Sequence, residues 1–382
     1  MCAFTSSGKS GNQVAVVIDG NNEFDSKRMG RIAERCVESM VAFIQPAQGN
    51  NRLRYYCTLN LLSPNGGCSR SMTQSMAIAA ISVLLEIHRP ASLPPLTEGQ
   101  TILLKVVSPA GQPWQDEVSV RVETDGSIWV KVPAARILGT VPVEDVCEAL
   151  NLNQLALQTE FPVQVVQCVA RHIIIPVRSR RSMSGLDPYM DLISSVCTQY
   201  QADSFHLFSL DPMAGGAVHT RNLAPRVMLE EEAASASANA ALAAYVHYHR
   251  VLPVESQEVF GCEQGFAFSM KARPSRVMVL LSLQGDDAKK QESVTVTGQM
   301  QGVAAQNEWL GQAVGSEATR DRLMATGDRY ASNHYDESRF NLPEGYYEKV
   351  QQKELEERIK MGEAKRAGKV YKREEEEHVS TA

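Results

Sequence analysis

An α+β fold in two comparable halves is what this chain predicts, and three observations carry it. β-branched strand runs and helical apolar patterns interleave along the first 300 or so residues. Each half of that stretch holds one helix with an uncharged body, Met72 to Leu85 and Ala236 to His249. A helix that is apolar on every side belongs in the middle of a domain, wrapped by other elements. Length is the third observation: 382 residues are more than a single core usually serves, so two domains are expected.

Taken in order, the chain opens on a hairpin. A Phe4-Thr5 strand end leads through a glycine-bearing loop to a Gly11-Asn12 turn, and Val14 to Val17 returns as the second strand. Asp25 starts a helix whose apolar residues Met29, Ile32, Ala33 and Cys36 recur at helical spacing. Leu53 to Leu62 reads as a strand, followed by the first uncharged helix. Leu103–Val107, Val118–Glu123 and Ile128–Val132 alternate as strands, with a hairpin turn at Asp125-Gly126. The second half repeats the plan: strand His172–Val177, helix Tyr189–Gln201, strand Ser204–Ser209, strand Val218–Leu223, then the second uncharged helix. A loop near Gln264 feeds a strand over Val277–Leu283.

Residues after about 303 leave this pattern. Asn307 to Ala331 can pack as one more helix, and 344–378 is dense in Glu, Lys and Arg. The pairs Glu354–Arg358 and Glu356–Lys360 support a solvated helix by about 0.2–0.5 kcal/mol each. Val350, Leu355, Ile359 and Met361 are too few for a sustained coiled-coil seam. An exposed, frayed tail and a partner-binding helix both fit this composition.

Composition excludes several function classes. A net charge of −6 and a pI near 5.8 give no reason to expect binding to nucleic acid or to an anionic membrane. No apolar run reaches the roughly 18 residues of a membrane span, and no secretory leader is recognisable, so a cytoplasmic location is expected. The eight cysteines are dispersed without a Cys-x-x-Cys pair, and His247 and His249 lie on different helix faces. Neither a disulfide framework nor a metal site is expected.

Several segments, in one order, resemble the PhzF-like isomerases of phenazine biosynthesis, relatives of diaminopimelate epimerase. The opening Ala3-Phe4-Thr5 with Gly11-Asn12-Gln13-Val14-Ala15-Val16-Val17 follows the family except for Gln13, where a proline is usual. Further matches are Met29 to Glu34, Ser39 with Phe43, His172 to Arg178, and His219 to Pro225 leading to Glu231-Glu232. Gln264-Gly265, Arg273-Pro274-Ser275 and Val294 to Gly298 complete a resemblance over roughly 2–302. It implies two similar lobes, 1–160 and 161–302, each a curved, mostly antiparallel sheet or barrel around a central helix. The active cleft lies between them, and 303–382 is a charged extension. The implied activity is isomerase or epimerase chemistry by proton transfer on a small carboxylate-bearing substrate, with no metal or organic cofactor. A homodimer is the assembly common among similar proteins.

Such chemistry needs an acid/base pair and donors for the substrate carboxylate. Where the family places Ser-Glu-Thr, this chain has Ser39 followed by Met40, which cannot shuttle protons. Glu38 is the nearest carboxylate; it either reaches the cleft from an extended backbone or merely solvates a helix end. The family's Gly-His-Ala-Thr turn is replaced by Pro64-Asn65-Gly66-Gly67-Cys68-Ser69-Arg70-Ser71. Gly66 and Gly67 keep open backbone N–H groups for an anion, and Cys68 lacks a partner cysteine in the second half. The Glu-Asp-Pro-Ala-Thr-Gly-Ser element aligns with Glu231 to Ser237, which puts Glu232 at the aspartate, Ser235 at the threonine and Ser237 at the serine. The resemblance therefore assigns Glu232 and Glu38 as acid/base and Ser39, Gly66, Gly67, Ser235 and Ser237 as substrate contacts. Loss of the glutamate and the histidine leaves a second reading open, a degenerate member that binds a small molecule or a partner protein.

Overall fold

Alternating burial shapes the first strands. β1 (Cys2–Ala3) runs antiparallel to β2 (Asn12–Ile18), so the opening hairpin forms, and buried and half-buried side chains alternate along β2. Gly11 stands between them at φ +85°, a backbone that glycine takes without strain. α1 (Ser26–Glu34) begins where Asp25 caps it, its Oδ1 accepting the Arg28 N–H at 2.7 Å. β3 (Met40–Pro46) then pairs in parallel with β2. It is buried on both faces: Met29 and Ala33 of α1 cover Val41 and Phe43, while Ala42 and Ile44 face the main core. β4 (Cys57–Leu62) is shorter than the strand expected from Leu53, because Gly49–Leu53 forms a 3-10 turn. α2 (Thr73–Glu86) is followed by β5 (Thr101–Val107), β6 (Glu117–Val122) and β7 (Ile128–Lys131). The expected Asp125-Gly126 turn joins β6 to β7, with Gly126 at φ +79°.

The second half opens with β8 (Arg136–Thr140), α3 (Val143–Leu150), β9 (Gln164–Gln167) and β10 (Arg171–Pro176). Next come α4 (Arg180–Ser184), α5 (Met190–Gln199), β11 (Ser204–Ser209), β12 (Val218–Ala224) and β13 (Leu229–Glu232). α6 (Ala236–Tyr248), β14 (Val259–Gln264), β15 (Ser275–Leu283) and β16 (Val294–Met300) complete the order. The computed structural model describes residues 2–3, 11–36, 40–62, 72–107, 117–213, 215–227, 229–253, 259–266, 274–283 and 294–300. The chain divides into the units Met1–Val314 and Gly315–Ala382, and every described residue belongs to the first. The charged tail and the helix expected over Asn307 to Ala331 lie outside the described residues.

One strand path, β1-β2-β3-β4-β5-β6-β7-β16-β15-β14-β12-β11-β10-β9-β8, runs through both halves, with β13 paired to β12 beside it. The path curls. α2 touches β1, β2, β3, β4, β6 and β7, whereas α6 touches β8, β9, β10, β15 and β16. Each central helix thus fills the hollow of its own half of the sheet. Every residue from Thr73 to Leu84 and from Ala236 to Val246 is buried, as the absence of charge predicts. The two helices also touch each other and share one hydrophobic cluster. A second cluster packs α3 and α5 on the outer face of β9, β10 and β11.

Candidate active site

Three segments distant in sequence meet at Asn12. Its Nδ2 donates to the Ala234 carbonyl at 2.5 Å and to Ser75 Oγ at 3.0 Å, and its Oδ1 accepts the Ala234 N–H at 3.2 Å. The first residue of β2 therefore ties the chain ahead of α6 to the first turn of α2, so the N-terminal ends of both central helices converge. Backbone N–H groups and the helix dipole make such ends favourable for an anion. α2 has no side-chain cap at Met72, and the carboxamide of Gln74 in its first turn is fully buried, with no partner for its nitrogen or oxygen among the described residues. α6 is capped by Ser235, whose Oγ accepts the Ala238 N–H at 3.3 Å.

β13 brings the glutamates to this point. Pairing with β12 sets Glu232 opposite Asn222, and strand alternation turns Glu231 and Glu232 to opposite faces. Glu231 goes to Arg221, whose Nε and Nη2 donate to its two oxygens at 3.0 and 2.8 Å. Burial pushes the Glu231 carboxyl up against the pull of that guanidinium. Glu230 is exposed. Glu232, only 2 % exposed, accepts from Asn222 Nδ2 at 2.9 Å through Oε2. Gln264 of β14 straps the turn between Glu232 and α6: its Nε2 donates to the Glu232 carbonyl at 2.7 Å. Its Oε1 accepts from the Ser235 N–H and from Asn239 Nδ2.

A buried polar row lies behind Asn222. Ser204 Oγ donates to Asn222 Oδ1 at 2.8 Å, and His172 Nδ1 lies 2.7 Å from Ser204 Oγ. His172 Nε2 lies 2.8 Å from Ser237 Oγ, which also accepts the Ala170 N–H at 3.1 Å. Burial drops His172 to about 3, and it does the same to His206, whose ring meets His172 edge-on at 6.5 Å. Both rings are therefore neutral at physiological pH.

The residues 1–66 and 91–305 match the model of the phenazine biosynthesis-like (PhzC/PhzF) protein family. This chain belongs to that family. An uncharacterized isomerase of Deinococcus radiodurans is 23 % identical over 302 residues, covering 78 % of this chain and 90 % of that protein. An uncharacterized isomerase of Clostridium acetobutylicum is 21 % identical over 144 residues, 37 % of this chain and 45 % of that protein. Among solved structures, a PhzF-family protein of Bacillus anthracis superposes with a TM-score of 0.63 at 16 % identity, covering 78 % of this chain and 93 % of that one. A predicted epimerase of Pseudomonas aeruginosa gives 0.56 at 18 % identity, covering 78 % and 94 %. At these identities the superpositions establish the fold, the expected two-lobed α+β architecture.

Residues 67–90, which the PhzC/PhzF pattern skips, contain the whole of α2. Of the residues assigned by resemblance, Glu232, Ser235 and Ser237 stand together at the start of α6. Both serine hydroxyls have protein partners, Ser235 as the cap and Ser237 in the histidine row. Glu38, Ser39, Gly66, Gly67 and Cys68 lie outside the described residues. Met40, which the resemblance aligns with the family's glutamate, begins β3 and packs half-buried against the main core. Burial pushes the thiols of Cys57, Cys168 and Cys197 up to about 12, so none of these three is a thiolate at neutral pH. No cluster of metal-ligating side chains occurs among the described residues. The resemblance gave no role to Asn12, Asn222 or His172, and Gln264 read as a loop residue rather than the buried brace it is.

Proposed function

We propose that the region where the N-terminal ends of α2 and α6 meet moves a proton at a carbon beside the carboxylate of a small substrate, without metal or organic cofactor. The chain is then an isomerase or epimerase of the PhzF-like type. The observation that carries this reading is the Glu232 carboxylate, buried just ahead of α6 and held by Asn222. A carboxylate in that setting takes a proton from the substrate carbon, and the electron pair left behind spreads onto the substrate carboxylate. Helix N-terminal N–H groups favour that charge, and the reading gives the backbone N–H groups of Gly66 and Gly67 the same task. The proton then returns at another carbon or on the opposite face, with Glu38 as the displaced partner acid and Ser39, Ser235 and Ser237 shaping the pocket. Both curated relatives carry the name isomerase, which supports the reaction class. A cytoplasmic homodimer goes with this reading; no described helix is long and apolar enough to cross a membrane.

One observation favours a second reading. Met40 packs an apolar side chain where the resemblance aligns the family's glutamate, which suits a member that binds a small carboxylic acid without turning it over. Incubation in deuterated water with α-amino and unsaturated carboxylic acids separates the two. Proton transfer leaves deuterium in the recovered acid, and Glu232→Gln lowers incorporation about 10²–10⁴-fold. Binding of an acid with no label in it, unchanged by Glu232→Gln, leaves only the binding reading.

A further inference from the structure

We propose that His172 is a positioning residue for Glu232, orienting its carboxylate through Ser204 and Asn222. The proposal rests on the reading of Glu232 as the acid/base, and the direction of every link follows from donor chemistry. A carboxylate only accepts, so Asn222 Nδ2 donates to Glu232 Oε2 across 2.9 Å. That orientation leaves Asn222 Oδ1 as an acceptor, and Ser204 spends its one hydroxyl proton on it at 2.8 Å. Ser204 Oγ must then receive a proton from His172 Nδ1, 2.7 Å away. A neutral imidazole has one N–H, so Nε2 accepts, and Ser237 donates to it across 2.8 Å. Ser237 Oγ is left to accept the Ala170 N–H at 3.1 Å, and a backbone amide can do nothing but donate. The two ends agree without a mismatch. All five side chains are buried: Glu232, Asn222, Ser204, His172 and Ser237 are at most 2 % exposed.

The amide makes the row one-way. Hydroxyls and imidazoles can reverse their hydrogen bonds, whereas Asn222 would have to turn over and expel Ser204 to do so. Oε2 of Glu232 therefore stays an acceptor, since a proton there would face the Asn222 N–H hydrogen. His172 does not bond Glu232 itself; its Nδ1 proton keeps Ser204 donating to Asn222, and Asn222 in turn orients the carboxylate.

Nitrogen NMR of the full-length protein with ¹⁵N-labelled histidine is expected to show His172 neutral at pH 7 with its proton on Nδ1. The carboxylate stretch of Glu232, isolated by infrared difference against Glu232→Gln, should shift in Ser204→Ala and return towards its native position in Ser204→Thr, which restores the hydroxyl. A proton on Nε2, a cationic ring, or an unmoved band in folded Ser204→Ala would overturn the proposal. Should Ser204→Ala fail to fold, the tautomer in the native protein decides alone. Neither readout needs turnover. Failed deuterium incorporation with the tautomer and band shift as expected removes the proton-transfer reading and leaves the hydrogen-bond row standing.

Discussion

His172 and His206 show how a single residue type can carry a pH response. Unfolded, each titrates near 6.5; folded, burial holds each at about 3. Between those values the unfolded chain takes up protons that the native chain refuses. Stability is thus complete above the unfolded value and is lost as pH falls toward 3, by about 1.4 kcal/mol per pH unit for each histidine. Among the described residues neither ring nitrogen of His206 has a well-formed hydrogen bond, although the Asn222 and Asn239 side chains lie close enough to favour its protonated form. An apolar ring of similar shape is therefore expected to cost little there at neutral pH. Urea unfolding of His206→Phe measured from pH 7 down to pH 4 should show near-native stability at the upper end. Its slope with pH should be smaller by about 1.4 kcal/mol per unit. An unchanged slope would mean that His206 takes up a proton in the folded state.

The ends of α2 and α6 depend on one side chain from a third element. Asn12 satisfies both backbone groups of Ala234 and the Ser75 hydroxyl. In Asn12→Leu those groups keep their burial and lose their partner, so a loss of about 2–4 kcal/mol in urea stability is expected, with faster amide exchange at Ala234. Near-native stability would show that the two helix ends hold their positions without this bond. The bodies of both helices could be read from sequence because missing charge over a dozen residues is a local property. The strand character of β13 could not: three glutamates in a row look like surface, and only pairing with β12 makes two of them interior. Gln264 escaped for the same reason, since its partners at Glu232 and Ser235 are about thirty residues away in sequence. Glu232 was singled out by the alignment of Glu231 to Ser237 with a family element, which says nothing of its burial or of its bond to Asn222. Asn12 looked like ordinary turn chemistry, and its cross-chain bonds form only after folding.

At the scale of the whole molecule, the central question is whether the two sheet hollows unfold separately. β16 pairs with β7 on one side and β15 on the other, so the strand ladder has no break between the halves. The main hydrophobic cluster likewise contains residues of both α2 and α6, Ile78 and Leu242 among them, each fully buried. A shared ladder and a shared cluster couple the halves, because exposing one strips apolar surface from the other. Ile78→Ala and Leu242→Ala should each cost about 2–5 kcal/mol through lost burial and the cavity left behind. If the coupling holds, both variants lower the midpoint of one common transition. Hydrogen-exchange mass spectrometry across a urea series gives the check. Peptides covering β3 and β11 should lose protection at the same denaturant concentration in the native protein, and should move together in either variant. Loss of protection in β3 alone on Ile78→Ala, with β11 still at its native midpoint, would show that each half holds itself together and that β16 is only a tether.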